Sequence, residues 1–187
     1  MSKAWTSKDI PSQTGKRNLI TGGSSGIGWN TALELAQAGA EVTIPARMQV
    51  KAADAVTRIR PVVPQAKLKT AVMDLSSLKS VREFAAQQLA DPRPIDTLIN
   101  NAGVMAIPKR KLSVDGFEMP FATNVLGHFL LTGIAVAIDF AGTCAAGGDS
   151  RFVRACQRWA GTDRGFELGA QLQGYAIPRP VAYGVGG

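Results

Sequence analysis

The chain has 187 residues, enough for one domain with a sizeable core, and 45% of them are hydrophobic, the share of a soluble globular protein. No apolar run is long and uncharged enough to span a membrane, and Met1 to Thr6 lacks the apolar core of a secretory signal, so a cytoplasmic setting is expected. The formal net charge of +7 admits acidic partners, but the basic residues are scattered and not interleaved with aromatics, which argues against a nucleic-acid surface. Two cysteines, Cys144 and Cys156, make no disulfide framework, and one histidine without a Cys/His cluster makes a metal site unexpected.

In chain order the pattern alternates strand and helix, which predicts an α/β parallel sheet covered on both faces. The first strand is expected near residues 17–21. A helix near 26–38 follows, with Ile27, Ala32, Leu35 and Ala36 on one face and Gly39 as its stop. A second strand covers 41–44, and a helix around 49–60 ends before Pro61. A third strand near 67–73 ends at Asp74. The next helix, 77–90, carries Val81, Phe84, Ala85 and Leu89 at helical spacing. A fourth strand covers 97–100, a long helix 116–138 and a fifth strand 151–153. Residues 1–15 read as a lead-in and 134–187 as a degenerate part of the same single domain. The run 109–111, Lys109-Arg110-Lys111, reads as a solvated loop, and Trp5, Trp29 and Trp159 as packed against apolar surface.

The most informative stretch joins the first strand to its helix: Thr21-Gly22-Gly23-Ser24-Ser25-Gly26-Ile27-Gly28. Strand, glycine turn and helix in that order form the context in which such a loop binds a dinucleotide. Small residues let the backbone turn sharply, and free amides at the helix start face the phosphate charge. Asn100-Asn101-Ala102-Gly103 follows the fourth strand at the carboxyl edge of the sheet, where open parallel sheets bind ligands. Asp74 ends the third strand at the same edge and is placed to accept from an adenine amino group. Asn124 lies on the long helix, in Thr123-Asn124-Val125-Leu126-Gly127-His128-Phe129. His128 reads as a packed helix residue.

The glycine run, the Asn-Asn-Ala-Gly run and the Asn124 segment arrive in the order and spacing of the short-chain dehydrogenase/reductase family, which residues 5–133 resemble. The branch it looks most like includes retinol-dehydrogenase-like and protochlorophyllide-reductase-like oxidoreductases. The resemblance implies a Rossmann-type doubly wound sheet and NAD(P)-dependent hydride transfer between nicotinamide and a small alcohol or carbonyl substrate. It implies coenzyme contacts from Gly22, Ser24, Ser25, Gly26, Ile27, Gly28, Asp74, Leu75, Asn101, Ala102 and Gly103, and a catalytic role for Asn124. The family often pairs through its long helix, which leaves a homo-oligomer open.

Coenzyme choice is legible at the end of the second strand. There Ala46 stands where a carboxylate would bond the ribose hydroxyls of NAD, and Arg47 follows. A guanidinium pairs with a 2′-phosphate through a forked contact, so NADP(H) is expected over NAD(H).

The proton-transfer half departs from the family pattern. Tyr183 best matches the family tyrosine, but the lysine position four residues on holds Gly187, and Ala155–Gly161, where the family serine would fall, has no serine. A second register, Tyr175 with Arg179 and Thr162, has Pro178 interrupting the helix it needs. A tyrosine without a neighbouring cation has a pKa near 10 and is a poor base at neutral pH. The chain therefore reads as truncated or frame-disrupted, with the last strands of the sheet missing. The alternative function is a non-catalytic NADP(H)-binding protein that senses or scaffolds.

Overall fold

The computed structural model describes residues 4–143. The expectations for Tyr183, Tyr175, Cys144, Cys156, Trp159 and a fifth strand lie outside the described residues.

Four strands, β1 (Arg17–Ile20), β2 (Glu41–Ala46), β3 (Lys67–Val72) and β4 (Thr97–Ile99), form one sheet in the order β3-β2-β1-β4. Every pair is parallel: Asn18 stands beside Val42 on one side and Thr97 on the other, and Glu41 beside Lys67. Helices α1 (Gly26–Gln37), α2 (Gln49–Ile59) and α3 (Leu78–Leu89) connect the strands. This is the Rossmann-type parallel sheet that the alternating pattern called for.

Successive strand residues point to opposite faces, so Leu19 and Ile20 belong to two different cores. Ile20, Val42 and Ile44 pack with Ala32 and Ala36 of α1 and Ala55 and Ile59 of α2. On the other face Leu19 and Met73 pack with Val81, Phe84 and Ala85 of α3 and with Leu130, Leu131 and Ile134 of the last helix. Both faces of β1 are buried, which is why Arg17–Ile20 lacks polar alternation. Among the described residues β3 is an edge, and its exposed Lys67 and Lys69 blunt it against further pairing.

Two element expectations need correction. β2 continues past Ile44 to Ala46 and includes Pro45. The proline is tolerated because β1 pairs with β2 only as far as Thr43, so no ladder bond to β1 is lost there. The long helix starts at Met119, not at 116. Ser113 Oγ accepts from the amides of Asp115 and Phe117, Gly116 is left-handed at φ +81°, and Leu112 bridges to Glu118. These bonds close a turn where the first helical turn was expected. Glu118 caps the helix by accepting from the Phe121 amide at 2.8 Å, and Pro120 sits in the first turn, where its missing donor is harmless. A short α4 (Met119–Phe121) passes into a π-helical turn, Ala122–Leu126, and then into α5 (Gly127–Thr143), five residues beyond the expected end.

Two apolar residues are also placed differently from expectation. Ile27 is 80% exposed at the mouth of α1 rather than on its buried face, and Trp5 is 71% exposed. Trp29 does pack, against Arg58, whose guanidinium carbon lies 4.2 Å from the ring centroid.

Candidate functional site

The sheet order reverses direction between β1 and β4, and the loops leaving those two strands meet at their carboxyl ends. Thr21 is the junction. Its fully buried hydroxyl accepts from the amides of Asn101 (2.9 Å) and Ala102 (3.0 Å). Asn101 returns the contact, its Nδ2 donating to the Thr21 carbonyl at 3.0 Å. The glycine bend is thus clamped against the Asn101–Gly103 loop by side-chain and backbone bonds together.

Glycine is needed where the two loops touch. A Cβ on Gly22 would lie 2.9 Å from the Ala102 Cα, and the φ of +68° disfavours any L side chain. A Cβ on Gly28 would meet the Gly22 carbonyl and Asn101 Nδ2. Ser25 precedes α1 in an extended conformation, and its side chain caps no amide of the first turn, which also holds no carboxylate. The amides at the start of α1 are therefore open to an anion, with the helix dipole behind them. Ser24 is half-buried, while Ser25, Gly26 and Ile27 are exposed around this opening. A cradle of that shape and polarity fits the diphosphate of a dinucleotide.

A cleft of about 430 Å³ extends from Ser24 and Ser25 to α2, where Lys51, Asp54, Thr57 and Arg58 line it. Arg47, the residue expected to read a 2′-phosphate, is exposed just beyond β2. Sequence reasoning missed Lys51 and Arg58. Their spacing of seven residues, with Asp54 between them, places them on one face of α2, and that was the available signal.

Asp74 Oδ1 accepts from the Ser76 amide (2.9 Å) and hydroxyl (2.7 Å), which fixes the carboxylate at the end of β3. Leu75 is a core residue, 6% exposed, whose carbonyl lies against Gly127. Asn124 sits within the π-helical turn. Both of its amide atoms are spent on Val104: Oδ1 accepts from the Val104 amide and Nδ2 donates to the Val104 carbonyl, each at 2.8 Å. Gly103 lies over it, its would-be Cβ 3.6 Å from Oδ1. π-turns of this kind are frequent at functional sites. The structure therefore brings the glycine loop, the Asn101–Gly103 loop and Asn124 to one edge, with Asp74 at the end of the adjoining half of the sheet.

His128 also belongs to this junction, though its sequence context suggested only packing. It is buried and bonds both Thr21 and Asn124. Burial pushes its pKa down, against a smaller upward pull from the Asn124 carbonyl. Among the described residues no His, Cys, Asp or Glu group could hold a metal ion, and no helix is long and apolar enough to cross a membrane.

A parallel sheet with a glycine bend at its switch point defines a dinucleotide-binding domain of the Rossmann type. The short chain dehydrogenase family model matches residues 16–140. A chloroplastic short-chain dehydrogenase, TIC 32 B of Brassica napus, is 46% identical over 134 residues, covering 70% of this chain and 42% of its own. Human retinol dehydrogenase 13 is 45% identical over 120 residues, covering 64% of this chain and 36% of its own. Among solved structures, a metagenomic short-chain oxidoreductase in complex with NADP superimposes with a TM-score of 0.60 at 28% identity, covering 71% of this chain and 60% of that one. The chain belongs to the short-chain dehydrogenase family. It spans about two fifths of the length of the two curated relatives.

Proposed function

We propose that this chain carries the coenzyme-binding half of an NADP(H)-preferring oxidoreductase that interconverts a small alcohol and its carbonyl. The observation that carries the reading is the clamped glycine bend, with open amides at the start of α1 against the Asn101–Gly103 loop. Gly22, Ser24, Ser25, Gly26, Ile27 and Gly28 hold the diphosphate. Asn101, Ala102 and Gly103 form the opposite wall, and Asp74 and Leu75 border the adenine side. The coenzyme, when bound, supplies or accepts the hydride. Arg47, supported by Lys51 across the cleft from Ser24, selects the 2′-phosphate by charge. Asn124 anchors the loop after β4, and Tyr183 remains the proposed proton carrier. The relative solved with NADP and the relative named as a retinol dehydrogenase support the coenzyme and the alcohol chemistry.

Intrinsic-fluorescence titration with NADPH and NADH, beside an NADPH-oxidation assay over a panel of carbonyls, tests this reading. Saturable NADPH binding with turnover supports it. Binding without turnover favours the second reading, a coenzyme-binding sensor or scaffold. Folded protein that ignores both coenzymes at millimolar concentration overturns both. Arg47→Asp is expected to weaken NADPH at least tenfold while leaving NADH within about threefold, because the new carboxylate repels the 2′-phosphate.

A further inference from the structure

We infer that His128 is a positioning residue for the coenzyme site: its imidazole ties the glycine bend, through Thr21, to the π-helical turn that carries Asn124. The inference rests on the coenzyme reading above and adds a residue outside the coenzyme contacts that the resemblance implied.

The hydrogen-bond roles follow from the atoms present. His128 Nδ1 lies 3.2 Å from the Asn124 carbonyl, which can only accept, so Nδ1 carries a proton. Nε2 lies 2.9 Å from the Thr21 hydroxyl. That oxygen already accepts two amides, from Asn101 and Ala102, so what it has left to offer is its own proton. The Ile99 carbonyl competes for that proton at 3.3 Å, a longer contact than the imidazole. A ring protonated at Nδ1 alone satisfies every partner: it donates to Asn124 and accepts from Thr21. A doubly protonated ring would aim a second N–H at an oxygen whose lone pairs are taken.

Among the described residues no charged group is seen to act on such a ring. Its pKa is set by burial and by the Asn124 carbonyl. Of the ionisable groups on the surrounding elements, several have partners of their own. Asp74 holds Ser76, Asp115 accepts from the Leu78 amide, and Glu118 caps Phe121. Lys79 pairs with Glu83 at 3.8 Å, and Arg82 on α3 has its own interaction. Strand β4 and residues 100–108 contain no ionisable side chain, and Arg17 stands at the other end of β1.

The bond matters beyond packing because of what hangs on its two ends. Thr21 holds the amides of Asn101 and Ala102 and leads directly into Gly22. Asn124 holds Val104 by both amide atoms. Loosening His128 therefore removes the direct tie between Thr21 and the Asn124 turn and frees the Thr21 hydroxyl to turn, so that residues 100–104 alone bridge the two segments.

The test compares wild type with His128→Gln, which offers a donor and an acceptor that do not titrate, and with His128→Leu, which offers neither. NADP⁺, which survives acid, is titrated from about pH 8 to about pH 5, the range of histidine. The coenzyme's own 2′-phosphate titration is common to all three proteins and cancels in their ratio. The ratio of wild-type to Gln-variant Kd is expected to rise at least threefold as pH falls across that range. The Leu variant is expected to bind about tenfold more weakly at pH 7.5, the scale of one or two lost hydrogen bonds. Amide hydrogen exchange, read without coenzyme, is expected to quicken at Asn101, Ala102 and Val104 and not in β2 or β3. A shared pH profile for wild type and His128→Gln, or unchanged exchange at those three amides in His128→Leu, overturns the inference. If the Leu variant does not fold, the wild-type and Gln comparison decides. If wild type ignores NADP⁺ at every pH, the functional reading falls and the exchange measurement alone decides the role of His128.

Discussion

At the scale of single residues, the glycine bend separates two reasons for a missing side chain. At Gly28 a Cβ would strike the Gly22 carbonyl and Asn101 Nδ2, whereas at Gly26 nothing lies within 4 Å and the demand is the left-handed φ of +55° alone. Gly26→Ala should cost about 1–2 kcal/mol of backbone strain. Gly28→Ala must displace the bend itself, and its thermal midpoint should fall further. The reverse order of midpoints would refute the close packing of the two loops. Asn18 presents the opposite case. It is 1% exposed in the middle of the sheet, and neither Nδ2 nor Oδ1 has a hydrogen-bond partner. A buried amide without partners costs about 1–3 kcal/mol, and valine suits a strand buried on both faces. Asn18→Val should therefore raise the urea midpoint, and a lower midpoint would mean that the amide is satisfied in solution.

At the scale of elements, the end of the sheet away from the site is tied by charge. Glu41 at the start of β2 accepts two bonds from Arg93, at 3.1 and 3.2 Å, and pairs with Lys69 at 2.7 Å. Asp91, after α3, meets Arg93 at 2.6 Å, and buried Arg17 donates to the Arg93 carbonyl. Burial pushes the Glu41 carboxyl up, but its bonds to Lys69 and Arg93 outweigh that and hold it below its ordinary value. The bonds from Arg93 hold Asp91 well below the usual carboxylate range. Two depressed carboxylates contribute stability that is present above their unfolded values, about pH 4, and is lost as pH falls through the folded ones. Glu41→Gln with Asp91→Asn should lower stability at pH 7 and flatten its decline below about pH 4. A double variant with the wild-type acid limb would remove the network from the account. None of this was legible in the sequence, because Arg17, Glu41, Lys69 and Arg93 come from four separate segments. The four described strands and the first three helices were legible to within one or two residues, since each carries its own period and its own stop, such as Gly39 or Pro61. The start of the long helix was not. Local bonds from Ser113 and the left-handed Gly116 outcompeted helix there, and the π-turn at Asn124 leaves no mark in residue spacing. In the site, the motif residues were found because they cluster in short runs. The Thr21–His128 bond was missed because it joins positions 107 apart.

At the scale of the whole molecule, the described residues hold two apolar cores on opposite faces of one thin sheet, and β1 is the wall they share. Leu19 faces one core and Ile20 faces the other. If that wall couples them, loss of packing on one face must unfold both. Phe84 tests this, being 1% exposed in the core between α3 and α5. Trp29 lies against the other core, its Nε1 donating to the Ala55 carbonyl at 3.3 Å. Phe84→Ala should cost about 3–5 kcal/mol through lost contact and the cavity left behind. That is a large share of the roughly 5–15 kcal/mol typical of a domain. In a background with Trp5 and Trp159 replaced by phenylalanine, the emission of Trp29 reports the face that Phe84 does not touch. The denaturant midpoint read by Trp29 should fall as far as the midpoint read by far-ultraviolet circular dichroism. A Trp29 transition that stays at its wild-type midpoint would mean that the two faces melt separately. The bend between β1 and α1 would then be held by only one of its two cores.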